Sequence, residues 1–112
     1  MNTELALDAL RALSQEHRLA SFRQLIQAGP GGLSVGELRE CIGIPPATLS
    51  AHLNVLRAAG LVTDVREGRV IRVRADFARM NDLLAYLTEN CCAGAVCTPA
   101  SECCPEPTGV TS

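Results

Sequence analysis

The chain has 112 residues, of which 47% are apolar and only 3% aromatic, and its formal net charge is −2. This length is enough for one domain with a modest aliphatic core, and so small a core is often completed by a second subunit. No apolar run reaches the roughly 18–20 residues that cross a bilayer, and no signal-sequence pattern opens the chain. We therefore expect a cytoplasmic protein that does not enter a membrane. The absence of a Ser/His/Asp pattern, a phosphate-binding loop or a carboxylate pair argues against an enzyme.

The positive charges are unevenly distributed along the chain. All ten basic residues are arginines, five of them fall between Arg57 and Arg74, and none lies beyond Arg79. The weakly acidic balance of the whole chain argues against a nucleic-acid partner. A locally basic segment can nevertheless face DNA, although its long-range attraction is weaker than that of a basic protein.

Apolar residues at helical spacing predict two helices in the first third of the chain. Residues 4–13 form an apolar segment with little polar face, and Thr3 is the expected N-cap. The second helix follows Ser14 and ends before the Gly-Pro-Gly-Gly loop at 29–32. The first helix carries more apolar surface than a small monomer could bury, which favours a dimer.

The next segment has the signals of a helix-turn-helix. Ser34 and Glu37 have the spacing of a capping box at the start of a short helix that stops at Gly43. Pro46 suits the first turn of the following helix, which is predicted to reach Ala59. The buried stripe of that helix consists of Leu49, Leu53 and Leu56. Two helices joined by a tight turn, the second opening with small polar residues, predict a helix-turn-helix.

Two alternating segments and a last helix complete the predicted fold. Residues 61–66 and 70–74 alternate on either side of a short turn, which predicts a β-hairpin. Helical spacing returns over 77–88 and then gives way to Cys, Pro, Ser, Thr and Gly, so that 91–112 is predicted to be a tail with little regular structure. The order of elements is that of a winged helix-turn-helix, a mainly α fold with a small β-hairpin, and we assign it to residues 1–90.

Small side chains on the helix that begins at Pro46 suit the major groove of DNA. The candidate base readers are Ala47, Thr48, Ser50, Ala51 and His52. The hydroxyls of Thr48 and Ser50 can bond a base edge or a phosphate, and the alanines can touch a thymine methyl group. The pattern fits His52 equally well as a packed, hydrogen-bonded residue.

The hairpin supplies candidate contacts to the DNA backbone. Arg66 and Arg69 lie at its tip, which suits phosphate or minor-groove contact. Arg72 and Arg74 share one strand face and extend the basic stripe. Two alternatives stay open, because winged helices also serve as protein-binding modules and arginines on an edge strand prevent sheet aggregation.

The segment Pro46–Val62 resembles the signature of the arsenic-repressor (ArsR/SmtB) family. Leu13–Leu19 resembles the start of the family's second helix, and Arg66–Arg69 resembles its wing, so the similarity covers roughly residues 5–90. The resemblance implies a homodimer that binds double-stranded operator DNA and leaves it when a metal binds. It also implies that the first and last helices form the dimer interface, and their apolar patterns at 4–13 and 77–87 support that role independently.

The sequence has six cysteines, five of which lie in the tail: Cys91, Cys92, Cys97, Cys103 and Cys104. In a reducing compartment, clustered thiols indicate metal binding or redox sensing rather than structural disulfides. Cys91, Cys92 and Cys97 can supply the three thiolates that As(III) or Sb(III) takes, whereas zinc prefers a fourth ligand. These three also resemble one variety of the family's sensor site. The Cys-x-Cys site of other members is absent, since Ser34-Val35-Gly36 stands there. We therefore expect As(III) or Sb(III) as the inducer and no organic cofactor.

The remaining cysteines leave alternatives open. Cys103 and Cys104 could complete another site, pass the ion on, bind a monomethylated arsenical, which needs only two thiols, or have no role. Cys41 is predicted to be a small core residue beside Leu38 and Ile42.

Two other functions are compatible with the sequence. A thiol-based redox repressor on the same scaffold is a second hypothesis, and an arsenic carrier that uses the fold for protein contact is a third. The three-thiol site could be built within one chain or across two.

Overall fold

A computed structural model describes residues 1–89, in which five helices pack around a three-stranded antiparallel sheet. The helices are α1 (Thr3–Leu13), α2 (Glu16–Ala28), α3 (Val35–Ile42), α4 (Pro46–Ala58) and α5 (Phe77–Leu87), and the strands are β1 (Leu33–Ser34), β2 (Val62–Glu67) and β3 (Val70–Ala75). The predicted winged helix-turn-helix, mainly α with a small β part, is confirmed. The predicted tail at 91–112, with its five cysteines, lies outside the described residues.

Local sequence signals explain where the helices begin and end. The Ser34 hydroxyl accepts a hydrogen bond from the Glu37 amide at 3.1 Å, and the Glu37 carboxylate accepts one from the Ser34 amide at 2.9 Å, so the predicted capping box is present. Gly43 ends α3 in the left-handed region, at φ 77°. The N-cap of α1 is Asn2 rather than the predicted Thr3, because the Asn2 side chain accepts a hydrogen bond from the Leu5 amide at 2.8 Å.

Leucines from the helix-turn-helix form the centre of the core. The side chains that are essentially inaccessible to solvent include Leu25 of α2, Leu38 of α3 and Val73 of β3, with the predicted α4 stripe of Leu49, Leu53 and Leu56. Helix α1 joins this core through alanines at positions 6, 9 and 12. Because alanines allow close approach, α1 packs on α2 and α4 while most of its leucines face outward.

The sheet contains one strand more than the predicted hairpin. β2 and β3 are joined by the two residues Gly68 and Arg69, and Gly68 has the positive φ, 61°, that such a tight turn needs at its first position. The additional strand, β1, pairs Leu33 with Val73 and Ser34 with Arg72. Two residues are too short to show an alternating pattern, so the sequence did not predict β1. This pairing fixes the start of α3 to the hairpin.

Gly32 allows the loop before β1 to approach β3 closely. Its φ is 68°, and a Cβ at this position would lie 2.2 Å from the Val73 carbonyl oxygen. We predict that Gly32→Ala lowers the free energy of unfolding by about 2–3 kcal/mol, because both the clash and the left-handed backbone oppose a side chain. Gly31→Ala is the matched control, since a Cβ there meets nothing within 4 Å. Urea unfolding of both variants tests this, and equal stability would contradict it.

Cys41 is exposed, so its predicted place in the core is wrong. The inner face of α3 is formed by Val35, Leu38 and Ile42. At 100° per residue, Cys41 lies about 90° from the centre of that face. In so short a helix, a position next to two apolar residues can therefore still point to solvent.

Candidate nucleic-acid interface

The first turns of α4 present a face of small, uncharged side chains. Leu49, Leu53 and Leu56 hold the opposite face of the helix in the core. The predicted base readers Ala47, Thr48, Ser50 and Ala51 are all exposed, and Asn54 continues their face one turn later. This arrangement provides two hydroxyls, one carboxamide and two methyl groups on a rigid helix, which is the set of groups that major-groove readout uses.

His52 stands apart from this exposed face. It is half-buried and faces the start of α2, where its ring centroid lies 6.0 Å from that of His17. Its Nδ1 lies 3.4 Å from Nη1 of Arg18. Partial burial lowers the pKa of His52, and the electrostatic effects of the neighbouring Arg18 and His17 lower it further. Of the two roles that the sequence allows, this placement favours a packed, hydrogen-bonded histidine, while a contact with DNA remains a prediction.

Arg57 joins the end of α4 to β2, the first strand of the β2–β3 hairpin that forms the wing. Its Nη1 donates to the Asn54 carboxamide oxygen at 2.8 Å, and its Nε and Nη2 both lie 3.2 Å from Oδ1 of Asp64 in β2. Sequence reasoning identifies Arg57 only as part of a basic segment. Its role depends on a residue seven positions away, and helical spacing gives no signal for that pairing. The contact links the end of α4 to β2.

The wing arginines fall into two groups. Arg66 and Arg69 are exposed beside the hairpin turn, as predicted. Arg74 is also exposed, and its Nε donates to the Thr63 hydroxyl across the sheet at 3.2 Å. Arg72 differs because it is half-buried and its donors are engaged within the protein. The structure therefore brings two of the three predicted wing residues, Arg66 and Arg69, to the open tip.

Arg72 ties the wing to the helix-turn-helix. Its Nε donates to the Gly31 carbonyl at 3.0 Å and its Nη2 to the Gly32 carbonyl at 3.2 Å. Nη2 also lies 3.5 Å from Glu37, and Nε lies 3.9 Å from Glu67. The pKa of Glu37 is lowered, first by the hydrogen bond from the Ser34 backbone amide and also by the charge of Arg72. A DNA contact by Arg72 remains a prediction, but its observed bonds hold β3 against α3.

The predicted ion-binding cysteines belong to the tail. Cys91, Cys92, Cys97, Cys103 and Cys104 all lie outside the described residues. Within residues 1–89, no three or more His, Cys, Asp or Glu side chains are grouped so as to hold a metal ion. Over the same residues, no helix is long and apolar enough to cross a membrane. The thiolate site therefore remains a prediction from the sequence.

Comparison with known proteins finds relatives that are similar to this chain in sequence and in fold. A family model described as a helix-turn-helix domain matches residues 13–65. The HTH-type transcriptional repressor SmtB of Mycobacterium tuberculosis is 37% identical over 71 residues, which are 63% of this chain and 50% of that protein. The chain thus spans about half the length of that relative. The biofilm growth-associated repressor of Xylella fastidiosa is 38% identical over 84 residues, 75% of this chain and 71% of that protein.

Solved structures of transcriptional regulators are also similar to this chain. An ArsR-like transcriptional regulator from Rhodococcus superposes with a TM-score of 0.67 at 32% identity, over 75% of this chain and 76% of the other. The homodimeric winged helix-turn-helix DNA-binding domain Mb0332 of Mycobacterium bovis superposes with a TM-score of 0.61 at 28% identity, over 78% of this chain and 81% of the other. The resemblance noted in the sequence therefore extends to relatives that overlap most of this chain.

Proposed function

Because the chain belongs to the ArsR/SmtB family of winged helix-turn-helix regulators, we propose that it is a homodimeric repressor released from operator DNA by As(III) or Sb(III). The observation that carries the DNA-binding part is the exposed, uncharged face of α4 together with the two exposed wing-tip arginines. Binding to chromosomal DNA would place the protein in the cytoplasm, as the sequence predicts.

In the proposed complex, α4 lies in the major groove and the wing follows the DNA backbone. Thr48 and Ser50 bond base edges or phosphates there, and Ala47 and Ala51 face thymine methyl groups. Arg66 and Arg69 at the wing tip neutralise phosphates or enter the minor groove. The side chains of Arg57 and Arg72 stabilise the positions of α4 and the wing, because they fix the wing to α4 and α3.

The proposed dimer uses the apolar surface that α1, α2 and α5 leave exposed. Leu7 and Leu10 of α1 are exposed, as are Leu84 and Leu87 of α5, which are 52% and 54% accessible. An apolar groove of about 420 Å³ lies between α2 and α5, lined by Leu13, Leu19, Phe22, Ile26, Met80, Leu83 and Leu84 among others. Exposed apolar surface of this extent is typical of an interface. The homodimeric mycobacterial domain supports this assembly.

The sensor part of the proposal rests on thiol chemistry and on the position of the cysteines in the chain. Cys91 follows the last residue of α5, Leu87, by four positions, and Cys92 and Cys97 come soon after it. Three thiolates binding one trivalent ion would constrain the chain next to a helix of the proposed dimer interface. An ion that binds the low-affinity form more tightly weakens DNA binding by the same coupling free energy, typically about 1–3 kcal/mol.

Salt dependence tests the proposed DNA contacts. We expect Arg66→Ala and Arg69→Ala each to reduce the slope of log affinity against log salt concentration by about 1, because each removes one phosphate contact. Arg72→Ala should instead lower the free energy of unfolding and leave this slope unchanged. The measurement is fluorescence anisotropy on the protein's own promoter DNA between about 50 and 200 mM salt, with a scrambled duplex as competitor.

Two results would contradict these assignments. Equal affinity for the promoter and the scrambled duplex would argue against a sequence-specific repressor. A slope that falls in Arg72→Ala as much as in the wing-tip variants would return Arg72 to the DNA contact that the sequence predicts. Arg23→Ala is the control for the loss of one exposed arginine outside α4 and the wing. Because Arg23 borders the apolar groove of the proposed dimer, sedimentation velocity must first show that this variant assembles like the wild type.

A further inference from the structure

Arg18 connects the end of α1 to the middle of α4. Its Nε donates to the Ala12 carbonyl in the last turn of α1 at 2.7 Å, and its Nη1 lies 3.4 Å from Nδ1 of His52 on α4. The Ala12 carbonyl is one of the acceptors that a helix leaves unpaired at its C-terminal end, so a cation is favourable there. One guanidinium therefore links α1, which belongs to the proposed dimer surface, to α4, the proposed recognition helix.

This bridge requires a neutral His52. Arginine carries only donors and stays charged, so Nδ1 of His52 has to be the unprotonated acceptor. The ionisable groups that face His52 from α2 are Arg18 and His17, and the electrostatic effect of each opposes a positive charge on His52. From α1, Asp8 and Arg11 line the adjoining cavity with Arg18, but Asp8 lies 3.4 Å from Arg11 and pairs with it. A proton on His52 would thus remove an acceptor and add a cation to a site that already holds one.

We propose that the Arg18–His52 contact seats the recognition helix on α2, and that adding a proton to His52 breaks this contact and weakens operator binding. His52 is then a positioning residue that makes DNA binding sensitive to mild acid. The inference rests on the proposed function, because its main readout is binding to the operator.

The sign of the linkage follows from the position of the histidine pKa. The pKa of His52 in the folded protein lies below its usual value. The folded state therefore favours the neutral imidazole, and its stabilising contribution is complete above the ordinary pKa of about 6.5. That contribution is lost as the pH falls through the lowered pKa of the folded protein. The packing of α4 against α2 should weaken over this same pH interval.

General electrostatics predicts the opposite result for DNA binding. Protonating histidines near DNA adds positive charge, which strengthens attraction to phosphates. If His52 and His17 acted only through charge, operator affinity would rise as the pH falls. A decrease in affinity is therefore a specific sign that protonation disturbs the position of α4.

The test measures operator affinity in steps from about pH 7.5 to about pH 5, from above the ordinary histidine pKa of about 6.5 to well below it, at constant salt. We expect the wild-type dimer to lose about fivefold in affinity at the lowest pH, the size of one hydrogen bond. His52→Asn places an amide oxygen near the position of Nδ1 and cannot gain a proton, so its ratio of affinities should not show this loss. His17→Asn, the matched control, should retain the loss. An unchanged or rising wild-type affinity, or an equal loss in His52→Asn, would overturn the proposal.

A second readout needs no DNA. Amide hydrogen exchange of α4, corrected for the intrinsic effect of pH, should speed up on acidification in the wild type and not in His52→Asn. This separates the two proposals. If α4 loosens as expected but the promoter is not bound specifically at any pH, the repressor function fails and the histidine switch of α4 stands. If the promoter is bound but neither affinity nor exchange responds to pH, the switch fails alone.

Discussion

Replacing Cys91, Cys92 or Cys97 by serine, one at a time, is expected to abolish the release of operator DNA by arsenite. A trivalent arsenic ion takes three thiolates, and a serine hydroxyl is a poor substitute because it is hard and stays protonated. We expect arsenite to weaken operator binding by the wild-type protein by about 5- to 150-fold, and to leave each variant bound. Anisotropy titrations of arsenite into the protein–operator complex measure this, with free thiols counted at each step.

The other cysteines provide matched controls. The double variant Cys103→Ser, Cys104→Ser and the variant Cys41→Ser should respond to arsenite like the wild type, and all variants should bind the operator normally without the ion. Continued release in all three single tail variants would contradict the assignment of Cys91, Cys92 and Cys97. Release by methylarsenite that depends only on Cys103 and Cys104 would assign a two-thiol site to that pair. Release by peroxide without any response to arsenite would replace the metal sensor by a redox switch.

Features encoded within a few residues are predicted correctly. The capping box at Ser34 and Glu37 and the proline at the start of α4 depend only on neighbours along the chain. The buried stripe of α4 follows from helical spacing. The capping of α1 shows the limit of such signals, because Asn2 and Thr3 are both good caps and the sequence alone does not choose between them.

Features that depend on pairing between residues far apart in the chain are not predicted from the sequence. β1 exists because Leu33 meets Val73, forty positions away, and two residues show no period of their own. The strand face that Arg72 shares with Arg74 is predicted from the sequence to face DNA, whereas in the structure the donors of Arg72 bond the carbonyls of Gly31 and Gly32. The Arg18–His52 contact likewise joins two helices 34 positions apart. Charge and spacing identify which residues can bind DNA, whereas the fold determines which of them are engaged internally.

Replacing Leu84 by glutamate is expected to break the dimer and with it tight operator binding. Leu84 is 52% exposed on α5 and borders the apolar groove, so the single chain should fold normally with the charge in water. In the proposed dimer the same carboxylate would be buried without a partner, which is strongly unfavourable. We expect a monomer at concentrations where the wild type is a dimer. Sedimentation velocity measures the assembly, and circular dichroism checks the fold.

The loss of DNA affinity should be larger than that of any single contact variant. Two linked recognition helices bind adjacent half-sites with an effective concentration that typically adds about 10²- to 10⁴-fold to the affinity. A monomer loses this gain while every DNA-facing side chain of α4 and the wing is intact, so its residual binding should keep the same sequence preference. Leu84→Met is the matched control, because it retains apolar character and should remain dimeric. A folded Leu84→Glu protein that stays dimeric would move the interface away from α5, and with it the proposed coupling between the tail cysteines and the recognition helices.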